Sequence, residues 1–134
     1  MIVLDDFKRS QTSKGETLLI IDDETSFVDV TKILMEIAGY KIFTANDGLE
    51  GITAFKENID IIDVVICDLH MPKLGGHMAV KLFLTLKPEI RILIISGSIV
   101  EADIPTYLVA GKIEFLHKPF MTETLLEKLR SLLS

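Results

Sequence analysis

The chain has a single cysteine, Cys67, among its 134 residues. One thiol excludes an internal disulfide and any metal site built from several thiolates. Its place in the run Val64-Val65-Ile66-Cys67 reads as that of a small core residue rather than a redox centre. Basic charge is also short. Fourteen Lys and Arg stand against 20 Asp and Glu, for a formal net charge of −6. That balance argues against direct binding of nucleic acid by charge, which requires a basic footprint. No apolar run approaches the roughly 18 residues needed to span a bilayer. Met1-Ile2-Val3-Leu4 is cut short by Asp5-Asp6 and lacks the length and flanks of a signal peptide. No membrane partner and a cytoplasmic location are therefore expected. Neither G-x-x-x-x-G-K followed by Ser or Thr, nor G-x-G-x-x-G, occurs, which sets aside nucleotide binding by a glycine-rich loop.

What is present is enough for a proper core. Hydrophobic residues make up 49% of the chain and charged residues 25%, and the length suits one domain. Residues 1–16 show no sustained period and read as an N-terminal tail or linker, leaving 17–134 as the folded unit. From there apolar runs and helical stripes alternate. Leu18-Leu19-Ile20-Ile21 predicts a strand. Phe27, Val30, Leu34 and Ala38 then form a helical stripe ended by Gly39, with Thr25 or Ser26 as its cap. Tyr40 to Ala45 predicts the second strand, and Leu49 to Glu57 a helix with Ile52 and Phe55 inward. Ile61 to Cys67 is apolar on both faces except at Asp63, as suits a central strand covered on both sides. A helix through Val80 and Phe83 to Leu86 stops near Pro88, and Ile90 to Ile95 predicts the fourth strand. The fourth helix is expected to be short, beginning near Pro105 and ending at Gly111. Ile113 to Leu116 predicts the fifth strand, and Leu125, Leu126, Leu129 and Leu133 stripe the last helix.

Five strand–helix pairs imply an α/β fold: a flavodoxin-like doubly wound parallel sheet in the order 2-1-3-4-5. In such sheets ligands bind beyond the carboxyl ends of the strands, where the strand order reverses. Strand 1 ends in Asp22-Asp23, strand 3 in Asp68, strand 4 in Ser96, and strand 5 leads through His117 to Lys118-Pro119. Each has an ordinary explanation taken alone. Acids favour the first turn of a helix, Asp is a common turn residue, and a loop lysine is usually solvated. The ordinary explanation must nevertheless be repeated at four strands, always at the same end. Three converging carboxylates repel one another in a partly buried cleft, and a divalent cation removes the conflict. Oxygen-only ligands suit Mg²⁺, which can also bridge to a phosphoryl oxygen. Lys118 and the Ser96 hydroxyl would hold other phosphoryl oxygens. A carboxylate is a sufficient nucleophile to form an aspartyl phosphate, and Asp68, on the central strand, is the candidate.

Asp22-Asp23, Asp68-Leu69-His70-Met71-Pro72, Ser96-Gly97 and Lys118-Pro119-Phe120 resemble, in order and spacing, the signature of response-regulator receiver domains. Asn46-Asp47-Gly48, Gly75-Gly76 and Ala110-Gly111 fall where that family carries similar residues. The resemblance covers about Thr17 to Leu133. It implies a two-component signalling module rather than an enzyme, with Asp68 as phosphoacceptor and Ser96 and Lys118 contacting the phosphoryl group. Asp22, Asp23, Asp68 and the backbone carbonyl of His70 would bind Mg²⁺. Phosphorylation would draw Ser96 inward and let Phe115, three residues before Lys118, rotate. That rotation would remodel the face of the fourth helix, fifth strand and last helix. The donor partner would be a histidine kinase or a phosphohistidine transfer domain, and a phosphorylation-dependent dimer is a further expectation. Gly15-Glu16-Thr17-Leu18-Leu19 is similar to entries into receivers of hybrid sensor kinases, and a stand-alone regulator is the alternative. The departures from the family pattern are the missing hydroxyl at Phe115, the bulk of His70 and the place of Pro105.

Two other classes compete. A haloacid-dehalogenase-like phosphatase also forms an aspartyl phosphate, but its Asp-x-Asp motif after the first strand is missing here. A pure interaction module would keep the fold without phosphorylation, and the intact acids, Ser96 and Lys118 count against it.

Overall fold

A computed structural model describes residues 13–71, 73–97 and 112–134. The short apolar runs become strands β1 (Thr17–Ile21), β2 (Lys41–Ala45), β3 (Val64–Asp68), β4 (Arg91–Ser96) and β5 (Ile113–His117). Helices α1 (Thr25–Ile37), α2 (Gly48–Glu57), α3 (Gly76–Leu86) and α4 (Thr122–Leu133) are their described partners. The strands form one parallel sheet in the order β2-β1-β3-β4-β5, which is the predicted doubly wound arrangement. The expected helix near Pro105 falls in 98–111, outside the described residues, as does Pro72.

Alternation along the strands builds two cores, because successive side chains leave opposite faces of a sheet. Leu19, Ile21, Val65, Cys67, Ile92 and Ile94 pack with Ile52 and Phe55 of α2 and Val80 and Phe83 of α3. Leu18, Ile20, Val64, Ile66, Leu93 and Ile95 pack on the other side with Val28 and Met35 of α1 and Leu125, Leu126 and Leu129 of α4. β1 and β3 are buried along their whole length, as a strand covered on both faces must be. Cys67 is a buried core thiol, held well above its usual pKa by burial and then by the charges of Asp68 and Asp22.

Three local expectations are corrected. The buried face of α1 is Val28, Thr31, Met35 and Ala38, while Val30 is 57% exposed. Neither Thr25 nor Ser26 caps that helix. Glu24 stands at the N-cap without a side-chain bond, and its N–H donates to the Asp22 carboxylate instead. In α4, Leu132 rather than Leu133 is buried beside Leu125, Leu126 and Leu129.

Asp63, the charged residue in the third apolar run, has a structural task. Its N–H donates to the Thr17 carbonyl at 2.8 Å, and its carboxylate accepts the Thr17 N–H at 2.9 Å. It ties the starts of β1 and β3 together, and the register continues as Leu18 opposite Val64 and Ile21 opposite Cys67. No helix among the described residues is long and apolar enough to cross a membrane.

Candidate functional site

Parallel pairing sets the carboxyl ends of β1, β3, β4 and β5 along one rim. Asp22 follows β1 directly, and its N–H donates to the Ala45 carbonyl of β2, which holds the turn against the sheet. Asp22 is fully buried, Asp68 is 8% exposed at the end of β3, and Asp23 is exposed. Carboxylate oxygens from all three lie within 4.8 Å of one another, so the sheet brings the predicted acids into one cluster.

Lys118 enters this cluster from the loop after β5. Its ammonium donates to Asp22 Oδ2 at 2.6 Å and to Asp68 Oδ2 at 3.3 Å. Its own N–H donates to the Ser96 carbonyl, so Ser96 and Lys118 share a backbone bond across β4 and β5. Ser96 is fully buried at the end of β4. Asp68 Oδ1 accepts the His70 N–H at 2.9 Å, so the exposed His70, two residues beyond the end of β3, turns its backbone N–H to the site. Phe115 lies opposite Ile94 in register and is half-buried against the core shared by α2 and α3. The Lys118–Pro119 peptide is cis.

The electrostatics follow from this crowding. Burial pushes the Asp68 carboxyl above its ordinary value, and repulsion from Asp22 adds to that. The His70 N–H and Lys118 act in the opposite sense and do not prevail. Of its two acid partners, Lys118 lies nearer Asp22, at 2.6 Å against 3.3 Å for Asp68. For Lys118, burial pulls the ammonium down, but the Asp22 bond and the charges of Asp22 and Asp68 outweigh it, and its pKa rises. Two buried acids served by one lysine and bordered by a third acid form a site with a surplus of negative charge. A hard divalent cation fits that donor set, which is made only of oxygens. Mg²⁺ would be held by Asp22, Asp23, Asp68 and the His70 carbonyl.

The segment after Asp68 is fixed at both ends. Gly76 donates its N–H to the Leu69 carbonyl, and a Cβ on Gly76 would stand 2.5 Å from both the Asp68 carbonyl oxygen and the Leu69 Cα. Only glycine allows α3 to start so close to the Asp68 peptide. Further along, Lys73 takes a left-handed backbone (φ 68°) and pairs at 3.3 Å with Asp47, the residue that caps α2 through the Glu50 N–H.

One participant was hidden in the sequence. Helical spacing assigns Phe27 to the core-facing stripe of α1, yet the Lys118 ammonium sits 4.2 Å from the centroid of its ring. Phe27 in turn meets Phe120 edge-to-face, with centroids 5.9 Å apart. An aromatic four residues beyond Asp23 is the only trace of this contact in the sequence.

The chain is similar in sequence and fold to known proteins. The family model described as response regulator receiver domain matches residues 18–130. The response regulator SaeR of Staphylococcus aureus (strain USA300) is 32% identical over 117 residues, 87% of this chain and 50% of that protein. The chain therefore spans about half the length of the curated relatives it matches. A response regulator receiver domain protein from Clostridium thermocellum superimposes with a TM-score of 0.78 at 31% identity, covering 87% of this chain and 94% of that one. The CheX-CheY-BeF3-Mg²⁺ complex from Borrelia burgdorferi gives 0.79 at 28% identity, covering 89% and 90%. The receiver domain of the hybrid histidine kinase CckA gives 0.74 at 27% identity, covering 88% and 99%. Fold, rim chemistry and relatives agree, and the chain belongs to the response regulator receiver domain family of two-component signalling.

Proposed function

We propose that this receiver accepts a phosphoryl group on Asp68 from a phosphohistidine donor, with Mg²⁺ bound, and changes conformation to signal to a partner. The observation that carries the reading is the cluster itself: three carboxylates within 4.8 Å, two of them bonded to Lys118. The donor would be a histidine kinase or a phosphotransfer domain. The CheX-CheY-BeF3-Mg²⁺ complex, a structure neighbour, supports the choice of cation.

In this reading an Asp68 carboxylate oxygen attacks phosphorus, a P–O bond forms, and the P–N bond to the donor imidazole breaks with a proton returning to the ring. Mg²⁺, when bound, neutralises charge on the phosphoryl oxygens. Lys118 holds a phosphoryl oxygen as a point charge, and Ser96 donates its hydroxyl to another. Water later hydrolyses the aspartyl phosphate. The chain thus supports its own phosphotransfer and dephosphorylation as a signalling module. The added charge shifts a two-state equilibrium, with Ser96 moving inward and Phe115 rotating as the switch. The receiver domain is read as 17–134, with 1–16 as an N-terminal tail or linker. Its output goes through a partner, a fused domain or a phosphorylation-dependent dimer.

Incubation with acetyl phosphate and Mg²⁺ tests the assignment. The unaltered chain gains acid-labile phosphate, and Asp68→Asn gains none. Labelling of Asp68→Asn at an unchanged rate would show that the acceptor lies elsewhere.

A further inference from the structure

Among the described residues, the Lys118 ammonium meets two acids and one aromatic ring. Its ammonium lies 2.6 Å from Asp22, 3.3 Å from Asp68 and 4.2 Å from the centre of the Phe27 ring. The lysine side chain is flexible, its four-carbon stem has no intrinsic reason to point at the rim, and 19% of it is exposed. Two carboxylates draw the charge inward, but they also become the ligands of any cation that enters. A lysine held by those acids alone would lose its anchor on loading. The face of an aromatic ring attracts an ammonium without using a carboxylate oxygen. Phe27 is fixed in turn: it sits on the first turns of α1, and the edge-to-face contact with Phe120 orients it from the loop after β5.

We propose that Phe27 is the positioning residue for Lys118. Its ring keeps the ammonium over the rim when the carboxylates turn to the cation, so that Lys118 stays available to the incoming phosphoryl group. The inference rests on the phosphoacceptor reading above and assigns α1 a part in the reaction through the lysine. Phe27 itself touches no reacting atom.

Phe27→Leu keeps an apolar side chain and removes the ring, while Phe27→Tyr keeps a ring. Two measurements on the full chain separate the possibilities. The first is the NMR shift of the Lys118 Cε protons with and without Mg²⁺. A ring beneath the ammonium moves these protons upfield in both states, and the effect vanishes in Phe27→Leu. The second is the rate of labelling by acetyl phosphate with Mg²⁺. Loss of a cation–ring contact is expected to slow it by about threefold to tenfold in Phe27→Leu. Phe27→Tyr should recover most of that loss. A Phe27→Leu chain that keeps its circular dichroism and is labelled at the unaltered rate overturns the inference alone, as does an upfield shift that disappears once Mg²⁺ is added. Failure of the unaltered chain to be labelled overturns the phosphoacceptor reading, and this inference with it.

Discussion

Gly76→Ala offers a sharp test of how Asp68 is positioned. An alanine Cβ would sit 2.5 Å from the Asp68 carbonyl oxygen and 2.5 Å from the Leu69 Cα, both backbone atoms of the strand end. Ordinary contact begins near 3.4 Å, so α3 and the Asp68–Leu69 peptide must part by about 0.9 Å. Overpacking of this kind costs about 1–3 kcal/mol, and the better helix propensity of alanine returns at most about 1 kcal/mol. A net loss of about 1–2 kcal/mol is expected. The displacement falls on the peptide whose next N–H fixes Asp68 Oδ1 at 2.9 Å. Mg²⁺ affinity should therefore drop together with stability. Gly75→Ala is the matched control: its Cβ meets nothing within 4 Å, and its backbone (φ −65°) suits any residue. Urea unfolding and Mg²⁺ titration by NMR would follow both variants. Should Gly76→Ala match Gly75→Ala in midpoint and in Mg²⁺ affinity, the close approach of α3 is not what positions Asp68.

Two further outcomes follow from the charge arrangement. Lys118→Ala strands the buried Asp22 beside Asp68, and removal of one partner from such a pair costs about 3 kcal/mol in EDTA. Urea midpoints should show that deficit narrowing when Mg²⁺ is added, and an equal deficit in both buffers would speak against a shared cation pocket. The second concerns pH. Asp68 is raised in the folded state above its ordinary value of 3.8, so its contribution to stability is complete below that value. It is lost as pH rises through the folded pKa. In EDTA, Asp68→Asn should accordingly melt higher than the unaltered chain at pH 7, with the gap closing toward about pH 4. A constant gap across that range would contradict the direction of the shift.

Much of this was legible in the sequence because the βα alternation is written in two periods, and because polar residues interrupt apolar runs at the same end of each strand. Asp22, Asp68 and Ser96 could be placed on one rim once the strand order was inferred. The face of α1 could not. That helix carries apolar residues on both sides, with Phe27, Val30 and Ile33 competing against Val28 and Met35. A buried Thr31 breaks the expected stripe. Asp63 looked like an interruption of a strand because a side chain bonding to a backbone 46 residues away leaves no local signature. The Lys118 contacts with Asp22 and Phe27 have the same origin. They depend on loop paths joining residues 96 and 91 positions apart, which periodicity does not encode.

The Asp63–Thr17 tie has a consequence at the opposite end of the sheet. Thr17 to Asp22 is five steps, along β1 and one residue past it, and Asp63 to Asp68 is five steps, from one residue before β3 to its end. Parallel strands advance by about 3.3 Å per residue. Anchoring their first residues level with one another therefore works as a ruler, delivering the two carboxylates to the same height. A slip of one residue would offset them by about 3.3 Å, more than the roughly 2.1 Å length of a Mg²⁺–oxygen bond, and would turn one of them to the other side of the sheet. An aspartate at the opposite end of the sheet thus sets how closely the two buried acids can meet.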